Sequence, residues 1–266
     1  MKINDLLKID SNYTINEKQI IMQKLLNCDR SKLYEIEVIN DKKIIKKYQK
    51  MIKSPLPVSY LLKEAPFLSW MFYVNKDVLI PRFETEELVL KTDELLKKHF
   101  KKDVSICDIG CGSGVIGISL KLLNEESNIT LTDISKKALK VAKKNSKIHN
   151  ANVNFIHSDM LSKITSKYDI LISNPPYLYE NSDIEDDVLK YEPHIALYGG
   201  TKYYEEILKG AKNILNSKNI IAFEIGHDEK EEVIKLANKY FKDANIISMK
   251  DLNNLDRYIF ILNNIA

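Results

Sequence analysis

Glycine is scarce in this chain, with 8 among 266 residues, and cysteine scarcer still, with 3. Tryptophan occurs once and proline seven times. So little glycine and proline excludes collagen-like and low-complexity classes. Three cysteines, Cys28, Cys107 and Cys111, are too few and too widely spaced for a disulfide framework, and suit a reducing compartment. Cys107 and Cys111 have no matching Cys or His pair nearby, so no metal site is expected. No apolar run approaches the roughly 18–20 residues that span a bilayer. The first ten residues carry Lys and Asp and lack an apolar signal core. The expectation is a cytoplasmic protein that keeps away from membranes. Excess charge is also missing: 40 Lys+Arg stand against 37 Asp+Glu, a net charge of +3. That balance gives no electrostatic footprint for stable nucleic-acid binding.

What remains is a globular composition, 44% hydrophobic and 29% charged, long enough for a large domain with a smaller one attached. Residues 1–67 read as a small helical domain. Ile3, Leu6 and Leu7 recur at helical spacing, and Asn40–Lys53 interleaves lysines with Ile44, Ile45, Tyr48 and Ile52 as an amphipathic helix. Leu68–Pro81 is rich in aromatic and β-branched residues. It reads as a β-hairpin turning at Asn75-Lys76-Asp77, so residues 68–82 are expected to link two domains.

Residues 83–266 alternate strand and helix. Strands are expected at Val104–Ile109, Asn128–Thr132, Val153–His157, Tyr168–Ser173 and Asn219–Ile225, with helices between them. Two last strands, Ala244–Met249 and Arg257–Ile261, are joined by a short link. The pattern predicts an α/β fold, a Rossmann-like doubly wound sheet closed by an antiparallel hairpin at one edge.

Four of the eight glycines, Gly110, Gly112, Gly114 and Gly117, fall in one eight-residue window between the first of these strands and its helix. They permit a tight turn and a close approach of ligand to backbone, and the helix start offers free N–H groups. Gly112–Gly117 satisfies G-x-G-x-x-G, which dinucleotides and adenosyl ligands share. Acids narrow the choice. Asp108 precedes the glycines, where it would put a carboxylate at the ligand's rim, favourable to an amino group and a sulfonium and unfavourable to a pyrophosphate. Asp133 ends the second strand, where it can accept both ribose hydroxyls. Asp159 follows the third, where an adenine amino group could be held. Three acids after three successive strands fit S-adenosylmethionine.

Ser173-Asn174-Pro175-Pro176-Tyr177 follows the fourth strand, at the carboxyl end of the sheet where ligands bind. Two prolines stiffen the backbone and remove donors. The Asn174 side-chain carbonyl and the Pro175 backbone carbonyl are left as acceptors, and Tyr177 offers a flat face for stacking. Such a corner suits a planar amino group, an amide or an aromatic amine. Accepting both of its N–H bonds localises the nitrogen lone pair for attack on a methyl group. Asn174, Pro175 and Tyr177 are therefore the candidate catalytic residues, with Pro176 beside them in the substrate site.

These motifs together resemble the HemK/PrmC family, the release factor glutamine methyltransferases. The resemblance runs through Pro57–Leu61, Val78–Arg82 with Glu84-Thr85-Glu86, Asp108–Gly114 and Asn174–Tyr177. It continues through Tyr191-Glu192-Pro193 with Ala196-Leu197 and Gly199-Gly200, then Glu224-Ile225-Gly226, and Asp251-Leu252 with Asp256-Arg257. It implies a class I methyltransferase domain with a helical N-terminal domain and a hairpin linker. It implies S-adenosyl-L-methionine as cofactor, held by Asp108, Ile109, Gly110, Cys111, Gly112, Asp133, Met160 and Asn174. It implies methylation of the glutamine side-chain amide in the Gly-Gly-Gln motif of class I peptide chain release factors, with Asn174–Tyr177 contacting substrate and the N-terminal domain gripping the release factor elsewhere. Three positions depart from the family pattern. Lys63 stands where glycine is usual, so the turn there is expected to differ. Phe83 replaces a proline, and Met160 stands where many members carry Trp beside the adenine. An adenine methyltransferase acting on DNA or RNA shares Asn-Pro-Pro-Tyr and is the alternative. An NAD-dependent oxidoreductase would leave that segment and Asp108 without a role.

Overall fold

The computed structural model describes residues 1–265 and divides into two compact units, Met1–Glu64 and the chain from Ala65 onward. The first unit is helical: α1 Ile3–Leu7, α2 Ile15–Leu26, α3 Arg30–Glu35, α4 Lys42–Met51 and α5 Val58–Leu62. Local chemistry starts these helices. Thr14 and Glu17 form a reciprocal capping box on α2, Asp29 caps α3, and Asp41 accepts from Lys43 and Ile44 N–H at the head of α4. Leu6, Ile21, Met22, Leu33, Tyr48 and Ile52 close the core between them. The lysines of α4 stay on its outer face, as its periodicity predicts.

The turn after α5 does not differ as the departure at Lys63 suggests. Lys63 itself takes the left-handed conformation, with φ +58°, as the C-cap of α5. The chain keeps the glycine-type turn and accepts the crowding of a Cβ there.

The second unit opens with β1 Ala65–Phe67 and β2 Trp70–Phe72, an antiparallel pair in which Phe67 faces Trp70. This is the hairpin, placed earlier than the expected Leu68–Pro81 and turning at Leu68-Ser69. Phe67 and Phe72 are fully buried in the main core, each contributing about 1.5–3 kcal/mol by leaving water. Asn75–Val78 does turn, with Asn75 accepting from Asp77 N–H at 3.0 Å. It is not flanked by paired strands, because the Ile80 N–H goes to the Glu192 carboxylate instead of a ladder partner.

Then come α6 Phe83–His99, β3 Ser105–Ile109, α7 Val115–Leu123, β4 Asn128–Asp133, α8 Lys136–Ile148, β5 Asn154–His157 and β6 Tyr168–Ser173. After these follow α9 Asp186–Tyr191, α10 Lys202–Ala211, β7 Leu215–Glu224, α11 Lys230–Tyr240, β8 Asn245–Lys250 and β9 Asp256–Asn263. Phe83 is exposed at the first position of α6, where its side chain displaces nothing. The main sheet runs β5-β4-β3-β6-β7-β9-β8. All pairings are parallel except those of β9, which is antiparallel to both β7 and β8. The closing hairpin is therefore as expected. The central strands are buried on both faces, so they read as continuous apolar runs. Chain order reverses between β3 and β6, and the crevice beyond their carboxyl ends is where such sheets bind ligands.

Candidate active site

A cleft of about 1060 Å³, counting the part open to solvent, lies at that reversal point. The loop from β3 to α7 forms its floor. Gly110 and Gly112 take φ +71° and +53°, and a Cβ added to either would meet no atom within 4 Å. Both glycines thus combine a left-handed backbone with an open face. The loop is pinned from β4: Cys111 N–H donates to the Thr132 carbonyl at 2.8 Å, and Gly112 N–H to Asp133 Oδ2 at 2.9 Å. Asp133 Oδ1 accepts from Ser135 N–H at 2.7 Å, which ties it to the head of α8. Burial pushes the Asp133 carboxyl above its ordinary range, opposed by these two hydrogen bonds. Each of its oxygens keeps a lone pair for a further donor.

Asp108 is not at the rim. It is fully buried beneath the loop, where Oδ2 accepts from Gly117 N–H at 2.9 Å and Oδ1 has no partner. Burial, reinforced by the nearby Asp133, pushes its pKa up to about 7. Ile109 is also buried below the floor and does not line the cleft. Gly110, Cys111, Gly112, Asp133, Asp159, Met160 and Asn174 do line it. Met160 reaches the wall from a left-handed backbone, φ +40°.

The opposite wall is built by the segment after β6. Ser173 Oγ donates to the Ile109 carbonyl at 2.7 Å and locks this segment to β3. Asn174 Nδ2 donates to Thr85 Oγ1 at 3.1 Å, and Thr85 Oγ1 donates to Glu224 Oε2 at 2.7 Å. Of the prolines, Pro176 lines the cleft and Pro175 beside it is buried. Tyr177 does not line the cleft. Its ring packs against the apolar cluster of β6, α10 and β7, and burial drives its hydroxyl pKa upward. The ring is thus partly buried against the protein's own core.

Sequence reasoning gave no site role to several lining residues: Arg82 and Thr85 before and within α6, Pro193, Ile195 and Ala196 after α9, and Tyr203 on α10. The signal was present in the motifs Val78–Glu86 and Tyr191–Gly200, but spacing along the chain does not say that they meet. They meet through Glu192, which takes Arg82 and Ile80 N–H, while Gly199 packs the second motif against the Asn174–Tyr177 segment, where a Cβ would fall 2.3 Å from the Pro176 carbonyl. Among the described residues, no group of three His, Cys, Asp or Glu is placed to hold a metal ion, and no helix is long and apolar enough to cross a membrane.

The family model for the methyltransferase small domain matches residues 86–191. The fold is similar to a solved T. thermophilus 16S rRNA N2 G1207 methyltransferase in complex with AdoMet and guanosine. The TM-score is 0.55 at 14% identity, covering 76% of this chain and 50% of that one. The chain is thus built as a class I α/β methyltransferase. A release factor glutamine methyltransferase from Bacillus cereus is 34% identical, covering 92% of this chain and 91% of the relative. One from Clostridium botulinum is 36% identical, covering 91% and 90%. The chain belongs to the family of release factor glutamine methyltransferases.

Proposed function

We propose that this protein methylates the side-chain amide nitrogen of the glutamine in the Gly-Gly-Gln motif of class I peptide chain release factors, using S-adenosyl-L-methionine. The observation that carries the reading is the hydrogen bond from Asn174 Nδ2 to Thr85, in the same cleft as Gly110, Gly112 and Asp133. With its NH2 engaged there, the Asn174 amide has its carbonyl Oδ1 left to accept from a substrate.

The cleft also fits the cofactor. The open faces of Gly110 and Gly112 admit a ligand against the backbone. Asp133 keeps lone pairs for two ribose hydroxyls. The orphaned Asp108 Oδ1 leaves an acidic group under the floor whose ionised form a cationic ligand would favour and a pyrophosphate would oppose. Met160 and Asp159 supply an apolar and an acidic flank for a purine carrying an amino group. When bound, S-adenosylmethionine supplies an electrophilic methyl group on a sulfonium.

The residues of the chain then orient and polarise. Asn174 Oδ1 and the Pro175 carbonyl accept the two N–H bonds of the glutamine amide. This draws the nitrogen lone pair out of amide resonance and aims it at the methyl carbon. The bound cofactor would supply the methyl group to this nitrogen and keep the sulfur's electron pair, and the nitrogen would give up a proton. Pro175 and Pro176 keep this corner rigid and free of competing donors. Tyr177 acts from behind by filling the core against which the segment is held. The helical first unit is assigned the grip on the release factor away from the tripeptide.

Protein incubated with methyl-labelled cofactor, a class I release factor and DNA tests this. Label is expected on the release factor; label on DNA alone overturns the reading in favour of an adenine methyltransferase.

A further inference from the structure

Glu224 has no place in the reaction as described, yet its surroundings are unusually determined. It ends β7, is 1% exposed, and stands opposite Tyr258 of β9. The next residue is doubly tied to β9: Ile225 N–H donates to the Arg257 carbonyl at 2.9 Å, and an Arg257 guanidinium N–H donates to the Ile225 carbonyl at 3.2 Å. Arg257 is itself paired with the buried carboxylate of Asp251 at 3.1 Å. The Tyr204 hydroxyl donates to the Glu224 backbone carbonyl at 3.0 Å. The motif residues Asp251, Arg257, Glu224 and Ile225 therefore serve one end: a carboxylate fixed under Thr85.

We propose that Glu224 is a positioning residue for methyl transfer, acting through the Thr85 hydroxyl to decide which end of the Asn174 side-chain amide faces the substrate. An ionised carboxylate only accepts, so the single Thr85 hydroxyl proton points to Glu224 Oε2. The hydroxyl oxygen can then only accept on its other side, and the neighbour it accepts from is the NH2 of Asn174. The carbonyl end of Asn174 is thereby turned toward substrate. Replace the carboxylate with a donor and the order reverses. The hydroxyl proton swings to Asn174, the amide rotates to accept it, and NH2 meets the N–H groups of the substrate amide.

Protonation of Glu224 on Oε2, the oxygen facing Thr85, has the same effect, as does an amide in its place that turns its NH2 to Thr85. Its pKa is pushed up to about 7, chiefly by burial. The other groups that act on it are Thr85, Arg257 and Asn174, which lower it, and Glu84, which raises it. Tyr177, Tyr204 and Tyr258 also face it, with hydroxyl pKa values driven upward by burial, so they stay neutral through this range.

The proposal rests on the function proposed above, and its test separates the two. Glu224→Gln, Thr85→Val and Thr85→Ser are compared with the unaltered enzyme for kcat, both KM values, cofactor affinity and thermal unfolding. Expected is a loss of about 30-fold or more in kcat for Glu224→Gln and Thr85→Val, with cofactor Kd within about threefold and rescue to within about fivefold by Thr85→Ser. In the unaltered enzyme kcat falls as pH drops below about 7, and that acid limb is expected to vanish in Glu224→Gln. A purely structural role would move the unfolding midpoint but not the pH profile. A second readout needs no turnover: the side-chain 1H–15N pair of Asn174, assigned by its loss in Asn174→Ala. It is expected at a hydrogen-bonded shift in the unaltered protein and Thr85→Ser, and at a free-amide shift in Thr85→Val. If that resonance responds so while no release factor is methylated, the function fails and the positioning stands. If Thr85→Val keeps both its turnover and its Asn174 shift, the positioning is refuted.

Discussion

Arg82 and Glu192 join the two sides of the cleft. The Arg82 guanidinium donates to Glu192 Oε1 at 2.5 Å, while Ile80 N–H donates to Oε2 at 2.9 Å. The carboxylate side chain is 2% exposed and its partner 35%. One buried acid thus holds the extended segment before α6 against the segment after α9. Arg82→Ala leaves that acid half-satisfied, at an expected cost of about 1–3 kcal/mol, discounted because the guanidinium is partly solvated. Urea unfolding measures the cost, and KM for the release factor is expected to rise because the wall carrying Pro193 and Ile195 loosens. A variant as stable as the parent would show that the pair is not needed to close this wall.

Gly199 and Gly110 make a contrasting pair. A Cβ on Gly199 would fall 2.3 Å from the Pro176 carbonyl, an approach only backbone movement relieves. Gly199→Ala is expected to displace the Asn174–Tyr177 segment, cutting kcat about 10-fold or more with cofactor affinity little changed. Gly110→Ala meets open space but keeps a left-handed φ of +71°, and its methyl intrudes on the ligand's side. Cofactor affinity is expected to fall first there. Calorimetry with S-adenosylmethionine beside steady-state kinetics separates the two outcomes.

Lys63 occupies a left-handed position with φ +58°. Lys63→Gly relieves the Cβ clash but adds freedom to the unfolded chain, for an expected net gain of about 0.5–1 kcal/mol. Equilibrium denaturation reads it directly, and a loss of stability would mean that the Lys63 side chain contributes more than its backbone costs.

Asp108 gives a pH signature with a defined sign. Its folded pKa is raised to about 7 from an ordinary carboxylate value. A raised carboxyl favours the folded state at low pH and loses that contribution as pH climbs through the folded pKa. Without cofactor, the protein is expected to lose stability between about pH 4 and about pH 7. Asp108→Asn removes this component of the slope while weakening cofactor binding. Burial also raises Asp133 and Glu224, so it is the difference between variant and parent that isolates Asp108. Parallel stability profiles would refute the assignment.

Much of this fold was legible because parallel strands buried on both faces print continuous apolar runs, as in Tyr168–Ser173, which the structure reproduces residue for residue. The glycine loop and Asp133 were legible because their chemistry is local to one strand end. Leu68–Pro81 was misplaced for a physical reason. Aromatic and β-branched residues favour extended backbone whether or not a partner strand exists, and here only Trp70–Phe72 finds one. The depth of Asp108 and the inward turn of Tyr177 depend on packing from distant segments. The meeting of Thr85, Asn174 and Glu224 joins residues up to 139 positions apart. Motif spelling marked each of them without disclosing that they touch.

The central claim is that the glutamine amide of a release factor is the methyl acceptor. Mass spectrometry of the Gly-Gly-Gln peptide, from release factor purified out of cells with and without this chain, tests it most directly. One added methyl group is expected on the glutamine side chain when the chain is present and none when it is absent. An unmodified glutamine in both, with the chain expressed and folded, would contradict it.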